Sequence, residues 1–198
     1  LGTVGLSGFA GRGIEQLSGG QRQRVALARC LVADARIILF DEPLANLDMH
    51  LRASMTEAFR EIHAKTGATM VYITHDQAEA LALADQVVVM SGGRILQAAA
   101  PATVYRSPAN ATVAGFVGRG SLLAGTLLQH RADGARVRIE GFDLEVRASG
   151  ETGEAMGNRD VRVLIRPEAL RESSDGTGLP AIVRDAIFRG SHYEILAA

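Results

Sequence analysis

Leu17-Ser18-Gly19-Gly20-Gln21, a helix-forming run from Gln21 to Ala33, then Ile37-Ile38-Leu39-Phe40-Asp41-Glu42 and Asn46-Leu47-Asp48 form the stretch that orders the reading of this chain. A helix start presents unpaired backbone amides and a partial positive charge, so the Ser18-Gly19-Gly20 entry suits a phosphate. The glycines let backbone approach a ligand, and Ser18 serves as a cap and a hydrogen-bond donor. Ile37 to Phe40 is a continuous apolar run, as expected of a strand buried on both faces. It ends in two acids. In open α/β sheets the carboxyl end of a central strand is where ligands bind. Asp41 is placed to hold Mg²⁺ through its water shell, and Glu42 to polarise an attacking water.

His75 follows a second apolar run, Thr69 to Thr74. A lone histidine is usually structural or merely exposed. This one follows a core strand downstream of Asp41-Glu42, which favours a functional role: donating to a γ-phosphate and orienting Glu42 or the water. Asp76 begins a further helix to Ala84, as its cap. Asp48 reads equally as the N-cap of a helix from Met49 to Thr66.

These elements in this order closely resemble the ATPase subunits of ABC transporters. Leu17–Gln21 matches the signature, Ile37–Asp41 the Walker B strand with Glu42 behind it, Asn46–Asp48 the D-loop and His75 the switch histidine. The resemblance implies ATP and Mg²⁺ as cofactors and a head-to-tail homodimer around two nucleotides. Asp41 would be the metal residue and Glu42 and His75 the catalytic pair. Ser18, Gly19, Gly20 and Gln21 would bind the nucleotide held by the second ATPase subunit, and Asp48 would touch that subunit. It further implies integral-membrane permease partners, a substrate-binding protein met indirectly, and a peripheral place on the cytoplasmic face of the inner (plasma) membrane.

One feature departs from the pattern. A P-loop needs Gly-x-x-x-x-Gly-Lys-Ser/Thr, yet Lys65 is the only lysine, and Ala64 precedes it. Gly8 and Gly13 have the glycine spacing, but Ile14 stands where lysine belongs. The 198 residues therefore contain no Walker A. The expectation is a C-terminal fragment or truncated gene product, whose absent front half carries Walker A, the adenine-stacking aromatic and the Q-loop.

Composition is that of an ordinary globular chain, 47% hydrophobic and 22% charged, with formal net charge -1. No excess of basic charge argues for nucleic acid. No apolar run is long enough to span a bilayer, and no signal peptide opens the chain. The one cysteine, Cys30, forbids an intrachain disulfide, fits a reducing compartment, and reads as a small core residue.

Outward from the central stretch, Leu1 to Gln16 reads as glycine-rich loop. In the first helix Val25, Ala28, Leu31 and Val32 are available to the core, while Arg22, Arg24 and Arg29 read as a solvated face. Gln86 to Met90 and Arg94 to Gln97 form a hairpin about Ser91-Gly92-Gly93. Short helices follow at Pro101 to Arg106 and Asn110 to Phe116, and Gly115 to Gly120 reads as linker. The expected fold is thus α/β: part of an ABC nucleotide-binding domain over 1–116, then a small all-β OB-like barrel over 117–198. The barrel would be built from strands at Leu122 to Leu128, Ala135 to Glu140, Phe142 to Arg147, Val161 to Ile165, Ile182 to Phe188 and Tyr193 to Leu196. Few aromatics are present for stacking single-stranded nucleic acid.

Leu164-Ile165-Arg166-Pro167-Glu168 and Phe188-Arg189-Gly190-Ser191 resemble recurring segments of the C-terminal regulatory domain of ABC importers of sugars, polyamines, ferric iron, sulfate or phosphonates. The tail resembles the ferric-iron and polyamine members most. The expected function is the ATP-hydrolysing, energy-coupling subunit of an importer. ABC ATPases of DNA repair, chromosome structure or translation would add heptads or a second core, and neither is seen. The remaining alternative is a non-hydrolysing binding or regulatory module, because Walker A is missing.

Overall fold

The computed structural model describes residues 1–33, 35–45, 47–131, 134–148, 159–173 and 179–197. They fall into two compact units, Leu1–Arg106 and Ser107–Ala198.

In the first unit, 3-10 turns at Gly2–Val4 and Ile14–Gln16 precede helix α1 (Gly19–Val32). Strand β1 (Ile37–Asp41), helix α2 (Met49–Thr66), strand β2 (Thr69–Ile73) and helix α3 (Gln77–Leu83) follow. β1 and β2 pair in parallel, which requires a crossover, and α2 provides it. Asp48 caps α2 at its start and Gly67, at φ 61°, ends it in the left-handed conformation that glycine adopts without strain. Ile38 and Phe40 from β1 join Leu27, Met55, Phe59 and Ile62 in the core. Phe59 stands edge-on to Phe40 and Tyr72, with ring centroids 4.8 and 5.5 Å away. Such pairs contribute about 0.5–1.5 kcal/mol each beyond the area they bury.

β1 differs from the strand expected. Ile37 and Leu39 are 64% and 73% exposed, so it alternates rather than being buried on both faces. Among the described residues β1 has a single neighbour, in a two-stranded sheet, rather than the two of a central strand. Paired register puts Leu39 beside Val71 and Asp41 beside Ile73 on the outer face, which no described residue covers. In α1, Val32 is exposed rather than buried, and Leu27 takes the core position instead. Arg24 is not simply solvated: Nη1 donates to the Val4 carbonyl at 3.4 Å, and Nη2 donates to Ser54 Oγ.

Strands β3 (Val87–Ser91) and β4 (Arg94–Ala99) form the expected hairpin, turning on Gly92 and Gly93 at φ 55° and 73°. This two-residue turn with both φ positive matches the twist of the strands it joins. Helix α4 (Pro101–Arg106) closes the unit.

The second unit opens with helix α5 (Ala111–Phe116), capped by Asn110, so Gly115 lies in a helix and not in a linker. Strands β5 (Ser121–Arg131), β6 (Gly134–Ile139), β7 (Phe142–Val146) and β8 (Arg159–Ile165) make an antiparallel sheet in the order β7-β6-β5-β8. Its buried face gathers Leu127, Ala135, Val137, Ile139 and Val163. Its outer face carries the cross-strand ion pairs Arg136–Glu145 and Arg138–Asp143. Among the described residues β9 (Val183–Phe188) and β10 (Tyr193–Ala197) pair only with each other. Among the described residues the sheets stay small and open, so the strands expected to close a barrel form two separate sheets.

Candidate active site

The parallel register of β1 and β2 places Asp41 opposite Ile73, so both strands end side by side. Immediately beyond the pairing, the Glu42 amide donates to the Ile73 carbonyl at 2.9 Å. Glu42 has φ 45°, one of only two non-glycine residues with positive φ among the described residues. A left-handed side-chain-bearing residue costs about 1–3 kcal/mol and persists where surroundings impose it, often at functional sites. The turn sends the Glu42 side chain toward β2, where Oε1 lies 3.0 Å from Nδ1 of His75. The hydrogen bond to Glu42, and then its charge, raise the His75 pKa above the ordinary histidine value. Both groups are solvent-exposed, so the pair orients more than it stabilises.

Ser18 is the N-cap of α1. Its Oγ accepts from the Gln21 amide at 3.3 Å, and Gln21 Oε1 accepts from the Ser18 amide at 2.9 Å. This reciprocal box fixes the entry to the helix and leaves Gly19 and Gly20 at its first two positions. Gly20 is buried against Leu51 of α2. Asp48 caps α2 by accepting from the Leu51 amide at 2.8 Å. Asn46 lies outside the described residues. Asp41 supplies an exposed carboxylate at the strand end. Among the described residues no cluster of three or more His, Cys, Asp or Glu forms a metal cage. A single carboxylate fits Mg²⁺ shared with phosphates and water, and does not fit an all-protein calcium or zinc site.

Contacts therefore join Glu42 with His75, while Ser18, Gln21 and Asp48 are each engaged in helix capping. Several residues given no site role in the sequence analysis surround this pair. Gln23 Nε2 donates to the Pro43 carbonyl at 2.6 Å, tying α1 to the segment after Glu42. Around His75, Tyr72, Thr74, Asp76 and Glu79 form one hydrogen-bonded group with Arg52. Burial, then the charge of Glu79, pushes the Tyr72 phenol upward, so it stays a neutral donor. The sequence signal for this group was slight: a glutamate four residues beyond His75, on a short helix with few other polar choices facing inward.

Residues 1–45 match the family model described as ABC transporter, and residues 163–198 match the TOBE domain. The chain is 41% identical over 198 residues to the "Fe(3+) ions import ATP-binding protein FbpC" of Pasteurella multocida, covering 100% of this chain and 55% of that protein. It is 39% identical over 196 residues to the protein of the same name from Photobacterium profundum, covering 98% and 54%. It is 42% identical over 197 residues to the "Spermidine/putrescine import ATP-binding protein PotA" of Bacteroides thetaiotaomicron, covering 98% and 41%. The chain thus spans about half the length of the curated relatives it matches.

Proposed function

We propose, on the premise that this chain carries an ABC transporter segment and a TOBE domain, that it belongs to the energy-coupling ATPase of an ABC importer. The observation that carries the reading is the Glu42–His75 pair at the adjacent ends of β1 and β2. Glu42 polarises and aims the attacking water. His75 steadies that carboxylate through Nδ1, and its Nε2 is left to donate to the γ-phosphate when the ring is protonated. Mg²⁺, when bound, neutralises charge on the phosphates, and Asp41 is the residue that would hold it. Ser18, Gly19, Gly20 and Gln21 present the start of α1 to the nucleotide of a second, identical subunit, and Asp48 meets that subunit.

The proposed arrangement has the nucleotide-binding part over 1–116 and the regulatory β domain over 117–198. The dimer works on integral-membrane permease subunits at the cytoplasmic face of the plasma membrane, and meets a substrate-binding protein indirectly. No helix among the described residues is long and apolar enough to cross a membrane. The relatives' names point to ferric iron or a polyamine as cargo.

The alternative reading is a binding or regulatory module without hydrolysis. Light scattering separates the two. The full natural protein carrying Glu42→Gln should be monomeric alone and dimeric with ATP and Mg²⁺, and adding Ser18→Arg should abolish the dimer. No ATP-dependent change in mass would remove the ATPase reading and leave the module.

A further inference from the structure

We propose that Arg52 is a positioning residue for His75: from the first turn of α2 its guanidinium clamps the Thr74–Asp76 turn and so holds the imidazole against Glu42. Arg52 Nη1 lies 3.0 Å from Asp76 Oδ2. Asp76 uses its other oxygen, Oδ1, to cap α3, accepting from the amides of Ala78 and Glu79 at 2.8 and 3.2 Å. Arg52 Nε faces Glu79 Oε1 at 3.7 Å, an ionic contact too long for a hydrogen bond. Glu79 is 6% exposed. Its Oε2 accepts from both Tyr72 Oη at 3.0 Å and Thr74 Oγ1 at 2.9 Å. Thr74 Oγ1 in turn accepts from the Asp76 amide at 2.9 Å.

The residues on both sides of His75 are therefore fixed through one buried carboxylate and one capping aspartate, and Arg52 is the cation set between them. A buried carboxylate holds its place only while its charge is matched by donors. Without Arg52, Glu79 retains two neutral donors, and Asp76 loses the charge opposite its outer oxygen. The turn is then held by its own short hydrogen bonds, while His75 itself is exposed and has no packing to fix it. The same turn of α2 starts at Asp48, whose carbonyl accepts from the Arg52 amide at 2.8 Å. Asp48 is thus linked to the residue after His75 through the side chains of Arg52 and Asp76.

The chemical consequence rests on the reading of Glu42 and His75 proposed above; the geometry does not. The first readout is the ¹⁵N spectrum of the His75 imidazole in this chain, with folding followed by circular dichroism. Arg52→Ala should move the ring signals more than half of the way to those of Glu42→Ala, and Arg52→Lys should keep most of the wild-type position. A folded Arg52→Ala with wild-type ring signals overturns the proposal. If Arg52→Ala fails to fold, Asp76→Asn decides, because it can keep the Oδ1 cap while the oxygen facing Arg52 becomes an amide nitrogen that carries no charge and cannot accept the Arg52 hydrogen bond. Ring signals that move toward those of Glu42→Ala support the clamp, and unchanged signals overturn it. The second readout is ATP turnover by the full natural protein. Arg52→Ala should lower kcat about tenfold, a part of the 10²–10⁴ that an aligned acid–base group supplies, with KM within about twofold. A raised KM at unchanged kcat overturns the positioning role. A wild-type protein that does not hydrolyse ATP defeats the importer reading instead, and the ring signals alone then judge the clamp.

Discussion

Gly20→Ala separates two opposed effects at the start of α1. Alanine in a helix is favoured over glycine by up to about 1 kcal/mol. Gly20 is buried, however, and a Cβ built there would lie 2.0 Å from Cδ2 and 3.0 Å from Cγ of Leu51. The terminal methyl can rotate, but Cγ cannot move without shifting the whole side chain off the core cluster that Leu51 packs against. Overpacking of this kind costs about 1–3 kcal/mol. The net expectation is a loss of about 1 kcal/mol. In a Leu51→Ala background the clash is gone, and the same substitution should raise stability by several tenths to about 1 kcal/mol. The coupling between the two sites is then about 2 kcal/mol, within the range found for residues in contact. Urea unfolding followed at 222 nm, where α1 and α2 contribute strongly, gives the four corners of the cycle. With a slope of about 1–3 kcal/mol/M, a 1 kcal/mol change moves the midpoint by about 0.3–1 M. A stabilising Gly20→Ala in the wild-type background, or a coupling below about 0.5 kcal/mol, would refute the close α1–α2 contact as the reason for glycine here.

Three further outcomes follow from the same structure. Phe59→Ala removes the ring that stands edge-on to both Phe40 and Tyr72 and should cost about 3–5 kcal/mol in urea unfolding; a loss under 1.5 kcal/mol would mean that the core can close over the gap. Glu42→Ala should bring the His75 pKa, now raised by the hydrogen bond to Glu42, down toward about 6.5 in an NMR titration. Because the folded pKa is the higher one, the stabilising contribution of this pair is fully present below the unfolded value and fades as pH rises through the folded value. In the second unit, hydrogen bonds from Arg189 and then Arg119 hold the Glu194 carboxyl below its ordinary range. Arg189→Ala should raise it, measured by carboxyl ¹³C titration; the wild-type contribution is present above the unfolded pKa and lost as pH falls through the depressed folded one.

Much of the first unit was legible because its signals are local. Asp48 and Gly67 bound α2 at the residues a cap and a left-handed terminus require, and Gly92-Gly93 could only turn a hairpin. The contact between Glu42 and His75 follows from parallel pairing, which brings two strand ends together. Burial was less legible. The run Ile37–Phe40 reads as a two-face core strand, yet the exposure of Ile37 and Leu39 depends on what lies over the sheet, a property of tertiary neighbours and not of the run. Val32, read as available to the core, is exposed while Leu27 is buried for the same reason: the angle at which α1 meets its neighbours chooses which apolar residues are covered. The Arg52 group was illegible because its members, at 52, 72, 74, 76 and 79, come together only when α2 and the end of β2 fold against the start of α3. In the second unit, strand positions followed from alternation, but alternation does not say which strands pair; β9 and β10 found each other rather than the sheet.

The central claim is that Glu42 directs water at a nucleotide, and ATP hydrolysis by the full natural protein tests it most directly. The wild-type protein should release phosphate in a Mg²⁺-dependent reaction, and Glu42→Gln should retain ATP binding while losing at least about 100-fold in turnover, the lower range for removing a positioned acid–base group. Turnover by Glu42→Gln equal to the wild type, or a full protein that neither binds nor cleaves ATP, would contradict the account.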